Sequence, residues 1–345
     1  MKEYVLNEIP IKTTNSFNVN NIKIKLDIPK ITNFKNMTIV NDDKLIVNIN
    51  ENGRSIDTKI GLSFDKSYQI DIIVPKDTHI DDLIYITYNF SLEDILVDNI
   101  NIIYEENSHA NFILKYESND KQKHVHMLKE VLNAYNNASG SISIINMLND
   151  NSYNFVSIEG NINENAIIEH NIVDLGGNIK ISNVDINLLK PNSQHKLNSL
   201  YLGLKKDIID INYYVKNQAM NSINLINTEG VLKNNALKNF KGIIDFREGS
   251  THSVGKEFEH VLMMGDECIS RSLPMLLCHE EDVEGAHGVS SGKIDSDKLF
   301  YLMSRAHTKK EAERLIIHAN FNSILNNIKD EDLKNKIIDI IDSKI

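Results

Sequence analysis

Between residues 91 and 264 the chain repeats one short pattern: strand-length apolar pieces about ten residues apart, with Asn, Asp, Ser and Gly between them. Ile142-Ser143-Ile144-Ile145, Phe155-Val156-Ser157-Ile158, Ile179-Lys180-Ile181, Ile208-Ile209-Asp210-Ile211, Ile223-Asn224-Leu225-Ile226 and Ile243-Ile244-Asp245-Phe246 are examples. Many short strands with no helices between them restrict a chain to a sandwich, a barrel or a solenoid. Asn at the corners and few hairpin dipeptides lean towards a parallel β-helix. There each coil is one repeat, and stacked Asn and Ile ladders supply the pairing. Periodicity alone leaves a sandwich open.

The flanks read differently. Residues 1–90 alternate with period two, as in Ile22-Lys23-Ile24-Lys25-Leu26 and Leu45-Ile46-Val47-Asn48-Ile49, and Asn52-Gly53 suits a type I′ turn. This predicts a small β-rich N-terminal region packed on residues 91–290. Residues 121–138 carry apolar side chains at helical spacing inside the β region, which places His124 and His126 on a solvated face rather than among ligands. From 291 to 345 the period becomes helical. Asp295 or Ser296 caps a helix bearing Leu299, Phe300, Leu302 and Met303. Thr308-Lys309-Lys310-Glu311 is a capping box, and Asp330 opens a last helix. Such short helices need a surface to pack on, either the protein's own β region or a partner.

A net charge of −11 argues against nucleic acid and against an anionic membrane surface as partners. The first residues lack the apolar core of a signal peptide, and no run approaches the roughly 18–20 apolar residues of a membrane span. A cytosolic protein is expected, in which two cysteines are thiols or ligands rather than a disulfide.

The chemistry gathers between Gly265 and Ser304, which hold both cysteines, His279, His287 and the acidic run Glu280, Glu281, Asp282 and Glu284. Cys268, Cys278, His279 and His287 could supply four N/S ligands to a structural zinc, although no C-x-x-C accompanies them. A cysteine nucleophile needs an orienting partner, and none is visible. Free cysteine is also among the most buried residue types. That plainer account suits Cys278, after Met275-Leu276-Leu277, better than Cys268 in its Gly-Asp-Glu-Cys turn.

The run from Leu276 to Asp295 (LLCHEEDVEGAHGVSSGKID), followed by Leu299-Phe300-Tyr301-Leu302-Met303-Ser304-Arg305, resembles the C-terminal signature of the SufB/SufD family. Those proteins form the core of the Suf iron–sulfur cluster assembly machine. The likeness covers roughly residues 150–325 and includes Asp174-Leu175-Gly176-Gly177, Asp210-Ile211-Asn212-Tyr213 and Phe240-Lys241-Gly242-Ile243-Ile244. It implies a mainly β protein: a right-handed parallel β-helix followed by a C-terminal helical domain. It also implies a non-enzymatic scaffold that dimerises through its β-helix, with itself or with a SufB-like subunit. Each helical domain would dock on a SufC-type ABC ATPase, which puts Leu299, Phe300, Tyr301, Met303 and Arg305 at the docking face. Sulfur would come from a cysteine desulfurase system and a nascent iron–sulfur cluster would form near the dimer interface. Flavin-associated assembly complexes belong to the same family, so a flavin is a further cofactor to test.

By the same resemblance Cys268 stands where SufB-type members keep their sulfur acceptor, and His287 matches the interface histidine. Cys278 is a further candidate iron ligand. SufB-type proteins carry a glutamate directly after that histidine. Gly288 occupies the place here, leaving Glu284 or Glu281 for the carboxylate role. Gly-Ala-His-Gly looks SufD-like, whereas Cys268 is SufB-like. Where the family has Ser-Arg-Gly this chain has Ser304-Arg305-Ala306, losing the favoured left-handed glycine. The competing functions are a zinc-stabilised interaction module and a β-helix enzyme acting on polysaccharide. Against the latter stand the missing leader and the clustering of ligand-type residues at one end of the chain.

Overall fold

A computed structural model describes residues 2–12, 18–28, 33–40, 43–51, 53–65 and 67–345. Six short strands come first: β1 (Lys2–Leu6), β2 (Ile22–Leu26), β3 (Met37–Val40), β4 (Ile46–Asn50), β5 (Ile56–Asp57) and β6 (Ser63–Phe64). Longer strands then follow one another: β7 (Tyr68–Val74), β8 (His79–Phe90), β9 (Ile95–Tyr104), β10 (His109–Ser118), β11 (Val125–Ala134), β12 (Ser139–Met147), β13 (Tyr153–Ile162), β14 (Ile167–Asp174), β15 (Ile179–Leu188), β16 (Gln194–Gly203), β17 (Ile208–Asn217), β18 (Ile223–Leu232), β19 (Leu237–Phe246), β20 (Val254–Met263), β21 (Ile269–Cys278) and β22 (Glu284–Lys293). Helices α1 (Ser296–Ser304), α2 (Lys309–Leu325) and α3 (Glu331–Lys344) close the chain.

From β7 onward, successive strands alternate between two nine-stranded sheets, even-numbered in one and odd-numbered in the other. Each pairs in parallel with the strand two places along, as β18 does with β20 and β19 with β21. The result is a parallel β-solenoid of about eight turns, and the sandwich left open by periodicity is excluded. Parallel pairing starts at Tyr68, ahead of residue 91. The two ends of the stack differ. At the first, β3 and β4 lie antiparallel on β8 and β7 and close both sheets. At the last, β22 and β21 are the outermost strands.

The corners explain the abundance of asparagine. Along one corner of the stack a residue turns with positive φ in successive coils: Asp77, Asn107, Asn137, Asn165, Asn192 and Asn221, then His252. Asn and Asp tolerate that left-handed conformation better than most side chains. Their amides also bond from coil to coil, Asn107 to Asp77 at 2.7 Å, Asn137 to Asn107 at 2.9 Å, Asn165 to Asn137 at 3.0 Å and Asn192 to Asn165 at 2.9 Å. At Gly176 a Cβ would collide with the Leu148 backbone, and Gly177 turns at φ 90°. Only glycine fits that tight corner.

The inward faces form one apolar core that runs from Phe34 to Cys268. Both outer faces are covered as well. Ile317, Phe321 and Ile324 of α2, with Leu333, Ile337 and Ile341 of α3, pack on Ile113, Ile145, Val173, Leu200 and Val231 of the even sheet. Leu6, Ile24, Leu26 and Phe64 of the N-terminal strands pack on Val97, Met127, Phe155 and Ile181 of the odd sheet. Helices α2 and α3 thus bury their apolar faces on the protein's own solenoid. Asp295, Thr308 and Asp330 cap them as read from the sequence, with the full capping box at Thr308 and Glu311.

Residues 121–138 correct the helical reading. They contain β11, and His124 and His126 are fully buried, not solvated. With both faces of the strand covered, Val125 and Met127 point outward into apolar contact while Leu128 and Leu132 point inward. Double burial erases the period-two signal and leaves an accidental helical spacing. Of the turn expected at Asn52-Gly53, Asn52 lies outside the described residues.

Candidate functional site

The last coil consists of β21, β22 and the turns around them, and it carries the residues singled out from the sequence. Register fixes which way each side chain points, because paired residues in neighbouring parallel strands share a face. In β20, Gly255, Glu257, Glu259 and Val261 are buried and face the interior, while Phe258 and His260 face out. His287 pairs with Glu257, so it also belongs to the inward face. Cys278 pairs with Phe246 of the core and shares its face.

Cys268 sits in the turn before β21 and is buried. Its thiol donates to the Asn234 carbonyl at 3.3 Å, and burial pushes its pKa up. Cys278 is exposed. This reverses the sequence expectation, under which Cys278 was the better candidate for a buried residue. Cys278 ends an outermost strand, so the apolar residues before it predict burial that no neighbouring coil provides. The two cysteines lie at opposite ends of a ten-residue strand, ~30 Å apart at 3.3 Å per residue. They cannot share one metal. Among the described residues no three His, Cys, Asp or Glu side chains gather as a metal set, so the zinc quartet is not assembled.

Glu284 points away from His287: it opens β22 on the outer face and pairs with Lys256 at 2.6 Å. Glu281 lies in the exposed turn between β21 and β22, where its amide donates to Glu280 Oε1 at 3.0 Å. Neither stands beside the histidine.

The interior of this end is unexpectedly ionic. Glu259 and Lys238 are fully buried and paired at 2.7 Å. Tyr201 Oη and Ser272 Oγ donate to the same carboxylate at 3.0 and 2.6 Å. Glu257 has no such support. Both its oxygens are buried without a hydrogen-bond partner, and burial, then the charge of Glu259, pushes its pKa up to about 8. Its carboxylate lies against Gly242 of β19, where a Cβ would overlap it. Sequence reasoning missed these residues. Lys256-Glu257-Phe258-Glu259-His260 looks like a strand with its acids in water, whereas the coil register turns the acids in and leaves Phe258 37% exposed.

The helical end offers a second surface. Phe300 is 75% exposed, Tyr301 and Met303 are exposed beside it, and Leu299 is half-buried. The Arg305 guanidinium lies 5.3 Å from the Tyr301 ring centroid. α1 buries no residue at all. Leu315 and Ile316 of α2 continue the apolar cleft that Tyr301 and Leu302 begin. No helix among the described residues is long and apolar enough to cross a membrane.

A family model described as "SUF system FeS cluster assembly, SufBD core domain" matches residues 89–320. Among curated proteins, the chain is 25% identical over 278 residues to the iron–sulfur cluster assembly protein SufD of Bacillus subtilis (strain 168), covering 79% of this chain and 63% of that one. It is 28% identical over 166 residues to SufD of Escherichia coli (strain K12), covering 48% and 39%. An iron–sulfur cluster assembly SufBD family protein of Staphylococcus epidermidis (strain ATCC 12228) is 23% identical over 168 residues, 49% of this chain and 36% of the relative. The chain spans less than two thirds of the length of each of these relatives.

Proposed function

From the premise that this chain belongs to the SufBD core family of the SUF iron–sulfur cluster assembly system, we propose that it is a non-enzymatic scaffold subunit on which a nascent cluster is built. One observation carries the reading: His287 and Cys278 lie on the inward face of the outermost coil, with Cys268 in its first turn, where both sheets end in strands without a further neighbour. A second copy, or a SufB-like subunit, would continue those sheets and enclose the coil. Iron, as cargo, would be held by the His287 imidazole with a cysteine thiolate, an open ligand set suited to releasing what it carries.

Cys268 acts as the sulfur acceptor in this scheme, receiving sulfur from a cysteine desulfurase system. Its burial and raised pKa keep it as a protonated thiol at rest. It therefore needs the coil to open before it can react. An ABC ATPase of the SufC type, docked on Phe300, Tyr301 and Met303 with Leu299 and Arg305 at the margin, would supply that opening as a rigid-body change transmitted through α2 and α3. The cytoplasm, where thiols stay reduced, is the compartment this chemistry requires.

Anaerobic reconstitution with iron and sulfide tests the reading. The wild-type chain should form a dimer and gain visible cluster absorption, alone or with a SufB-like subunit, and Cys268→Ser and His287→Ala should each abolish it. Cluster formation undiminished in Cys268→Ser but lost in Cys278→Ser would move the acceptor role to the exposed cysteine. Absorption unchanged in all three variants would reject the scaffold reading.

A further inference from the structure

SufB-type relatives are expected to place a carboxylate beside the interface histidine, and this chain has Gly288 there. The fold supplies one from another strand. Glu257 and His287 are register partners in adjacent strands of the even sheet, on the same inward face, with backbones about 4.8 Å apart. We propose that Glu257 is a ligand for the divalent iron handled at this end of the solenoid, acting together with His287 from the rung below it. The proposal rests on the scaffold reading for the identity of the metal, and on geometry alone for the site.

Three observations carry it. Glu257 is fully buried with neither oxygen hydrogen-bonded, a costly state for a carboxylate unless a proton or a cation joins it. Gly242 leaves the space that the carboxylate occupies. The coil beneath is open, with His287 exposed and the side chains of β21 only half-buried, so an ion can reach the carboxylate from the end of the stack. The charged groups facing Glu257 are Glu259 and Lys238, already paired with each other, and the titratable His287. Two carboxylates thus share one lysine, and a divalent cation would balance the second carboxylate. Two protein ligands leave the remaining coordination positions to sulfide, water or a partner chain.

Cobalt(II), a spectroscopic stand-in for ferrous iron, tests this without sulfide, ATPase or a second subunit. The full-length chain should bind one Co(II). Glu257→Gln and His287→Ala should each weaken binding by about 10–100-fold. Infrared spectra at pH 7 should show a protonated carboxyl band that Co(II) removes from the wild type and not from His287→Ala. That readout keeps the test decisive if Glu257→Gln does not fold. Wild-type affinity in Glu257→Gln, a carboxyl band that persists with Co(II) bound, or no Co(II) uptake at all would each overturn the proposal. Failure of cluster reconstitution alone would instead strike the scaffold reading and leave the cobalt result standing.

Discussion

Ionisable side chains inside a solenoid are expensive, and this molecule keeps several. Most are repaid by partners. His170 lies 2.9 Å from Glu130 and 3.0 Å from His195, and His126 bonds Asn154 and Asp98 at 2.7 and 3.2 Å. Glu259 has Lys238, Tyr201 and Ser272. Glu257 has none of these, and its raised pKa makes it a measurable liability. Its unfolded carboxyl titrates near the ordinary glutamate value of 4.5 and its folded one at about 8. Between those values the folded state binds more protons, so this contribution to stability is complete below pH 4.5 and is lost as pH rises through 8. Glu257→Gln removes the titration. Its melting temperature at pH 8 should exceed that of the wild type by roughly 5 °C, and the gap should close near pH 4.5. Calorimetry across that range checks it, and equal slopes for both proteins would contradict the assignment. A residue whose removal stabilises the fold is one that function would have to retain.

At the scale of elements, the corner ladder and the first helix show opposite uses of left-handed backbone. Along one corner of the stack the conformation falls mostly on asparagine, which accepts it and adds a bond to the next coil. After α1 it falls on Ala306, at φ 71°, where no such compensation exists. The chain follows the helix-ending geometry foreseen from the family pattern and bears the strain of a Cβ there, on the order of 1 kcal/mol. Since α1 buries nothing, the strain should appear as local opening rather than in global melting. Ala306→Gly should slow proteolytic cleavage within residues 296–306 about fivefold, the equivalent of that energy, and leave the overall melting curve in place. A shifted global melt or unchanged cleavage would show α1 to be held by something other than its own cap. The adjoining helix has no such weakness, because Thr308 and Glu311 satisfy each other's backbone amides at its start.

The molecule as a whole is a stack whose two ends differ, antiparallel at the first and parallel at the last. Antiparallel β3 and β4 stop the sheets at the first coil, and the N-terminal strands and the helices cover the two outer faces. Among the described residues β21 and β22 are the outermost parallel strands of the stack, and edge strands left in this state are templates for another chain. Amide hydrogen exchange should therefore be graded. Central strands such as β13 to β16 should exchange slowest, and β21 and β22 fastest in a monomer. The last two should become protected in the dimer while α1 stays fast until an ATPase binds. Protection that appeared first along the helices would place the subunit interface elsewhere.

Much of this was legible in the chain itself. Period-two runs without helices, asparagine at regular corners and three capped helices are local signals. Backbone propensity and capping chemistry act within a few residues, so they survive in a linear reading. The long motif around His287 likewise identified the family. What the chain could not disclose depends on which coil lies above and below. Whether β11 was helix or strand, whether Cys268 or Cys278 was buried, and whether Glu257 faced water or core were all set by stacking register. A slip of one residue exchanges the two faces of a strand without changing its composition. The pairing of Glu257 with His287, thirty positions apart and one rung away, therefore exists only once the solenoid has closed its turns.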